Sequence, residues 1–181
     1  MADDFTDIAN NTFRWEGGLN ENEIGQGGKS NYGVSQNLYD AYNKEGSKDV
    51  SDITYGEAKK IMRSEFYDKP KLNMISNKGV RGVVYDFSVN SGNDKSIRAL
   101  QEIVGTKVDG KMGKNTKRQI EKYIEKNGET ALISNLIDKR EQFLTNLATQ
   151  NPEKYGRVIQ GWMNRMQGLR DTYLQGEEDG E

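Results

Sequence analysis

The sequence predicts an all-α protein, mainly helical with at most a small hairpin. Two observations support this prediction. Apolar residues recur at steps of three and four along most of the 181 residues, as they do on one face of an α-helix. Glycine, proline and capping residues interrupt these stripes at helix-length intervals, which indicates seven or eight successive helices. A polar, glycine-rich stretch over residues 19–33 leaves room for the hairpin.

The composition excludes several classes of enzyme. The chain has no cysteine and no histidine. Disulfides, thiol nucleophiles, imidazole bases and the usual zinc ligands are therefore excluded, and with them cysteine peptidases, serine triads and zinc amidases. Hydrolytic chemistry would have to use carboxylates, hydroxyls, lysines or an all-oxygen metal site, and of these possibilities we expect neither a metal nor a cofactor. A net charge of -2 gives no general attraction to nucleic acid, and no apolar run is long enough for membrane insertion.

The first helix is predicted from about Asp4 to Glu16, and it presents a candidate catalytic acid. Its apolar face carries Phe5, Ile8, Ala9, Thr12, Phe13 and, at the same spacing, Glu16. A carboxylate on that face loses hydration, which raises its pKa toward the range of a general acid. Gly17 and Gly18 then end the helix and let a bulky substrate approach. The alternative is an ordinary glutamate in the last turn of a helix.

Two further helices are predicted before Pro70. Ser35 caps a short helix that carries Leu38, Tyr39 and Tyr42. Thr54 and Glu57 form a capping box for the next helix, in which each side chain bonds the other residue's free amide. The buried face of that helix is predicted to hold Ala58, Ile61, Met62 and Phe66.

A central helix is predicted over residues 77–91, because its stripe of Val80, Val83, Val84 and Phe87 is the densest in the chain. Asn90 extends this stripe and Asp86 lies beside it. A buried Asn90 would either tie down neighbouring backbone groups or contact a substrate. Gly92 ends the helix.

The second half of the chain is predicted to contain four helices. One begins near Asp94, one follows the turn at residues 108–113, one carries Leu132 to Leu147, and the last begins at Pro152 and continues to Tyr173. Positive charge gathers in the middle of this half, at Lys107, Lys111, Lys114, Lys117, Arg118, Lys122 and Lys126. These residues are either a solvated face or a surface for an anionic polymer. We expect two packed helical lobes, over residues 1–92 and 93–175, and an acidic tail over residues 176–181.

The order of these motifs resembles glycoside hydrolase family 108, a family of phage and bacterial muramidases. The first lobe is similar to the family's catalytic region in three segments, Glu16-Gly17-Gly18, residues 27–34 and residues 85–92. The second lobe is similar to the associated peptidoglycan-binding region in Ala99-Leu100-Gln101, Val108-Asp109-Gly110, Gly113 with Thr116, and Gly161-Trp162 with Arg165.

The resemblance implies a lysozyme-like fold and hydrolysis of the β-1,4 bond between N-acetylmuramic acid and N-acetylglucosamine. Glu16 would be the general acid. Family members commonly place a second carboxylate where this chain has Gly25, so we expect Glu23 to replace it, with Glu21 and Asp86 as alternatives. Ser30 stands where threonine is usual and keeps a hydroxyl that can orient water. The substrate-binding residues implied are Asn31, Tyr32, Asp86 and Asn90.

Two functions remain open from the sequence. An endolysin-type muramidase is favoured, and a catalytically weakened cell-wall-binding or virion structural module is the alternative, because of Gly25 and the basic second lobe. In either case we expect a monomer that binds peptidoglycan glycan strands. Since the sequence starts without an export signal, we expect synthesis in the cytoplasm. Release to the cell wall would then use a holin-like pore, lysis, a dedicated translocation route or delivery with a phage particle.

Overall fold

The computed structural model describes residues 4–16, 19, 28–43 and 48–174, with side chains at all of them except Asp4 and Glu16. Within these ranges the protein is mainly helical with one two-stranded hairpin, as predicted. The hairpin consists of β1 (Ser30–Asn31) and β2 (Val34–Ser35). The helices are α1 (Asp4–Glu16), α2 (Gln36–Asn43), α3 (Tyr55–Arg63), α4 (Lys78–Ser91), α5 (Asn93–Ile103), α6 (Lys114–Asn127), α7 (Glu129–Gln150), α8 (Pro152–Tyr155) and α9 (Ile159–Tyr173).

The chain divides into two compact units, Met1–Pro70 and Lys71–Glu181. In this division α4 lies in the second unit, because it packs against α5, α7 and α9, all of which follow it in the chain. The predicted lobe boundary between residues 92 and 93 stays a prediction.

The first unit is organised around α1. Phe5, Ile8, Ala9 and Thr12 are buried, as the stripe predicted. The β-hairpin pairs Ser30 with Ser35 and Asn31 with Val34 in antiparallel register. The two residues between the strands, Tyr32 and Gly33, both have positive φ, which is the backbone of a type I′ turn and matches the twist of paired strands.

The capping box of α3 is present as predicted. Thr54 Oγ1 accepts from the Glu57 amide, and the Glu57 carboxylate accepts from the Thr54 amide at 2.9 Å. At its other end α3 continues into a wider π-type turn, Ser64–Asp68, which ends before Pro70. Because that turn holds an extra residue, Tyr67 is buried against the Phe5 ring, with centroids 5.1 Å apart. Phe66, which regular helical spacing placed in the core, is only half-buried.

The second unit is built on α4, which is buried from Val80 to Ser88. Two glycines allow other helices to approach it. A Cβ on Gly82 would overlap the Tyr173 hydroxyl of α9, and a Cβ on Gly79 would lie 2.8 Å from Ile133 Cδ1 of α7. Small residues at these two positions therefore set how closely α7 and α9 pack on α4.

The last predicted helix is divided in the structure. Pro152 occupies the first turn of α8, as expected, but α8 ends after one turn and α9 begins at Ile159. Gly156 follows the end of α8, and glycine is a weak helix former that favours such a break.

Candidate functional site

Glu16 is the last residue of α1. Its side chain, and the residues at 17, 18 and 20–27 that include Glu21, Glu23 and Gly25, lie outside the part that the structure describes. The inward direction of Glu16 and its distance to Glu23 therefore stay predictions. The two large apolar residues nearest to it in the sequence, Trp15 and Leu19, are 42% and 47% exposed. Both side chains are therefore accessible to a ligand.

Three aromatic rings from separate elements meet in the first unit. The Phe13 ring of α1 lies 5.2 Å from the Tyr55 ring of α3, and the Tyr32 ring of the hairpin turn lies 5.7 Å from Tyr55. The Tyr55 hydroxyl donates to Asn10 Oδ1 at 2.7 Å, which fixes α3 to α1. Since Phe13 precedes Glu16 by one helical turn, these rings lie next to the end of α1.

The sequence pointed to Tyr32 in this aromatic cluster but missed Tyr55. Tyr55 directly follows the helix cap Thr54, and it was passed over as an ordinary first helical residue. The signal available was its spacing, since Tyr55 precedes Ala58 by three residues and Met62 by seven and so extends the apolar face of α3 to its first turn. Tyr55 is 42% exposed, so its ring is accessible to a ligand.

Ser30 and Asn31 lie in β1, and both are buried. The Asn31 side-chain amide donates to the Ser51 carbonyl at 3.1 Å. This hydrogen bond ties the hairpin to the 3₁₀ turn Val50–Asp52. Asn31 therefore has a structural contact of its own, and the predicted roles of Ser30 and Asn31 toward a substrate remain predictions.

The Asp49 carboxylate supports the same turn. It accepts from the amide and the hydroxyl of Ser51, at 2.8 and 2.6 Å, and pairs with the Lys29 ammonium at 2.9 Å. The hydrogen bond from the Ser51 hydroxyl and the contact with Lys29 hold the pKa of Asp49 well below its usual range. The segment before β1 is thereby connected to the segment before α3.

Asp86 occupies a buried ion cluster in the second unit, which argues against its predicted role in substrate binding and against its use as a second catalytic carboxylate. The residue is 1% exposed. Arg140 Nη1 of α7 donates to Asp86 Oδ1 at 2.5 Å, and Arg165 of α9 donates to both carboxylate oxygens, from Nε at 2.9 Å and from Nη2 at 2.8 Å. The carboxylate therefore joins α4, α7 and α9.

The electrostatics of Asp86 follow from this geometry. Burial raises the pKa of the carboxyl, but the charges and hydrogen bonds of Arg165 and Arg140 outweigh burial and hold the pKa well below its usual range. Asp86 is therefore ionised at neutral pH and unsuited to donate a proton. Arg165 was predicted only as part of the peptidoglycan-binding pattern, and its structural role was not recognised.

Asn90 was expected to extend the buried stripe of α4, and the structure corrects this expectation. Burial ends at Ser88, Val89 is half-buried and Asn90 is exposed in the last turn. The helix stops at Gly92, whose amide donates to the Ser88 carbonyl, so this turn extends past the packed part of α4. A substrate contact by Asn90 remains a prediction.

Several residues of the second-lobe pattern form one hydrogen-bond network around the buried side chain of Gln101. Its amide nitrogen lies 2.9, 3.1 and 3.2 Å from three acceptors, Asp109 Oδ1, the Lys111 carbonyl and Thr116 Oγ1, which share its two protons. Its amide oxygen accepts from the backbone amides of Asp109 and Gly110, at 3.0 and 2.8 Å. These residues hold the loop between α5 and α6. Their presence in the peptidoglycan-binding pattern therefore has a structural reason.

Among its described residues, the surface of the second unit carries the basic residues, a groove and a smaller cavity. Lys107, Lys111, Lys114, Lys122 and Lys126 are exposed. A groove of about 490 Å³ is lined by Ile103, Tyr123, Asn135, Asp138, Lys139 and Gln142. A more apolar cavity of about 250 Å³ has Phe87, Ala99 and Phe143 among its lining residues, and Lys139 borders both.

No group of three or more aspartates and glutamates in the described part of the chain is arranged to hold a metal ion. None of the described helices is long and apolar enough to cross a membrane.

Comparisons with known proteins agree with the order of these elements. The family described as Glycosyl hydrolase 108 matches residues 9–92, and the family described as Predicted Peptidoglycan domain matches residues 95–167. No curated protein matches the chain. Among solved structures, SagA of Brucella abortus is similar, with a TM-score of 0.80 at 25% identity over 97% of each chain.

These matches cover α1 to α4 with the first family and α5 to most of α9 with the second. They confirm the resemblance found in the sequence, together with its mainly α-helical, lysozyme-like fold class. Residues 9–92 therefore match a glycosyl hydrolase 108 domain and residues 95–167 match a peptidoglycan-binding domain, and this combination supports a cell-wall hydrolase.

Proposed function

We propose that the protein is an N-acetylmuramidase, which hydrolyses the β-1,4 bond between N-acetylmuramic acid and N-acetylglucosamine in peptidoglycan. The observation that carries this proposal is the position of Glu16. It ends α1 inside the region matched by the glycosyl hydrolase family, next to exposed Trp15 and to the Phe13, Tyr32 and Tyr55 rings. Aromatic rings next to the end of α1 suit a sugar, because a pyranose offers apolar C–H faces between its hydroxyls.

In the proposed reaction, protonated Glu16 donates its proton to the glycosidic oxygen as the bond to the anomeric carbon breaks. Positive charge develops on the sugar ring in an oxocarbenium-like transition state, and water adds to the anomeric carbon. Glu23 would stabilise that charge or take the proton of the water. Asp86 does not supply this second carboxylate in the proposal, because both of its oxygens are bound by buried arginines.

The bond that is cleaved can be identified from the products. Purified peptidoglycan is digested in water enriched in ¹⁸O, the new ends are reduced with borohydride, and the fragments are analysed by mass spectrometry. The proposal expects reduced N-acetylmuramic acid with one ¹⁸O per cleavage. Reduced N-acetylglucosamine would indicate the other glycosidic bond, and an unreducible anhydro sugar without ¹⁸O would indicate that water is not the nucleophile. Either result would overturn the assignment.

The second carboxylate can be tested with a matched pair of loop variants. Glu23→Gln should lower the rate of fragment release strongly, whereas Glu21→Gln, two residues away in the same loop, should leave it close to wild type. The opposite order would assign the role to Glu21. Full activity in both variants would contradict a carboxylate from this loop.

A further inference from the structure

The groove between α6 and α7 has the size and the side chains of a ligand site. Its volume of about 490 Å³ lies within the range of roughly 300–1,000 Å³ that is usual for ligand pockets. Tyr123 of α6 faces Asn135 and Gln142 of α7 across it, with Ile103 at the end of α5. No sequence motif pointed to these residues.

The aromatic side chain in this groove is held in place. The Asn135 side-chain amide donates to the Tyr123 hydroxyl at 2.8 Å, which links α7 to α6 through the two side chains. Tyr123 is half-buried and Asn135 is exposed. A fixed aromatic ring offers a flat contact surface at little entropic cost on binding. Asn135 and Gln142 add amide groups that can both donate and accept hydrogen bonds.

The charged residues of the groove already have partners within the protein. Asp138 pairs with Arg170 at 2.7 Å, and Lys139 pairs with Glu102 at 2.6 Å. The groove therefore has little net charge to offer a ligand, in contrast to the exposed lysines of α6 such as Lys114 and Lys122. An aromatic ring, two amides and compensated charges suit a neutral saccharide whose N-acetyl groups both donate and accept hydrogen bonds.

We propose that this groove is where the second unit binds the glycan strand, by holding N-acetylated amino sugars against Tyr123, Asn135 and Gln142. The inference rests on the proposed function in that the strand held here is the one cleaved at Glu16. It differs from binding by the basic surface, which would depend on anionic groups of the wall and would weaken steeply with salt.

The test uses the full chain and two ligands. In the first arm, tri-N-acetylchitotriose is titrated into isotopically labelled protein and followed by NMR. The amide signals of Tyr123, Asn135 and Gln142 should move together and saturate. In the second arm, retention on insoluble peptidoglycan is measured for Tyr123→Leu and Gln142→Ala in a Glu16→Gln background, with Gln160→Ala as the control. Gln160 is also an exposed helical glutamine, but it lies on α9.

The two groove variants should bind the wall about tenfold more weakly or worse, because each loses an anchoring contact, whereas Gln160→Ala should bind like its parent. Thermal unfolding of each variant controls for loss of structure, and exposed Gln142 provides a readout if Tyr123→Leu unfolds. Unchanged retention in folded groove variants, or saccharide shifts that avoid α6 and α7, would overturn the inference. If the groove variants fail to bind while the wild-type chain releases no fragments, the muramidase proposal fails and this inference stands.

Discussion

Replacing Asp86 by asparagine should destabilise the second unit severely. The carboxylate lies between two guanidinium groups, 2.5 Å from Arg140 Nη1 and 2.8 Å from Arg165 Nη2, and none of the three side chains is more than 7% exposed. Asparagine keeps the shape of the side chain but removes the negative charge, which leaves two buried cations close together. Removing one partner of a buried ion pair costs about 3–5 kcal/mol, a large part of a typical domain stability of about 5–15 kcal/mol.

The loss can be measured by urea unfolding of the full chain. Trp162 lies in the second unit and Trp15 in the first, so fluorescence in a Trp15→Phe background follows the second unit alone. With a urea dependence of about 1–3 kcal/mol per molar, the midpoint should fall by about 2 M. The matched control is Asp138→Asn on α7, where the carboxylate is 57% exposed and pairs with Arg170. That variant should change the free energy of unfolding by less than about 1 kcal/mol. Equal midpoints for both variants would refute the assigned role of Asp86.

The stability difference between wild type and Asp86→Asn should also depend on pH, in a direction that follows from the pKa of Asp86. In the folded chain the pKa of Asp86 lies below its unfolded value of about 3.9. Its contribution is therefore fully present above that value and is lost as the pH falls toward the folded-state pKa. The free-energy difference between wild type and Asp86→Asn should be constant from about pH 5 to 8 and shrink below about pH 4. A difference that grows on acidification would contradict the ion cluster.

Three further predictions concern the second unit. Gly82→Ala should lower the free energy of unfolding by about 1–3 kcal/mol, because the new methyl group forces Tyr173 away from α4. In the control Gly161→Ala, the new Cβ meets nothing within 4 Å, so this variant should be neutral or slightly stabilising. Equal unfolding midpoints would contradict the close approach of α9. Gln101→Met removes the acceptor of the half-buried Asp109 and Gly110 amides in the α5–α6 loop, so hydrogen exchange at these two amides should accelerate. Unchanged protection would show that the network is not needed. Reversing Lys111, Lys114 and Lys117 to glutamate should weaken retention on peptidoglycan, most at low salt, while unchanged retention would identify an ordinary solvated face.

Most helices of this fold were predictable, because their signals are local. The Thr54 and Glu57 capping box, the valine stripe of α4 and the end at Gly92 depend on neighbours within a turn or two, and each was found where expected. Phe66 was misplaced because an extra residue in the following turn changes the helical phase, and no local pattern marks such a turn. The break after α8 had a local signal, Gly156, but one glycine does not decide between a kinked helix and two helices.

Long-range contacts were much harder to predict. In the sequence, Arg140 follows Asp86 by 54 residues and Arg165 follows it by 79. Nothing in a single sequence shows that these three side chains meet. The same holds for the rings of Phe13, Tyr32 and Tyr55, which the fold brings together from three elements. The end of α1 at Glu16, in contrast, was predictable from one helix, since the apolar spacing and the glycines that follow are local features. The catalytic role of Glu16 stays a prediction.

The most direct test of the central claim is the rate at which the Glu16→Gln variant releases soluble fragments from purified peptidoglycan. Asp7→Asn is the matched control, because it makes the same acid-to-amide change at an exposed position of the same helix. Glutamine cannot donate the proton, so the rate should fall by at least about 100-fold with the thermal midpoint unchanged, while Asp7→Asn keeps wild-type activity. Wild-type rates of release by folded Glu16→Gln would contradict the account.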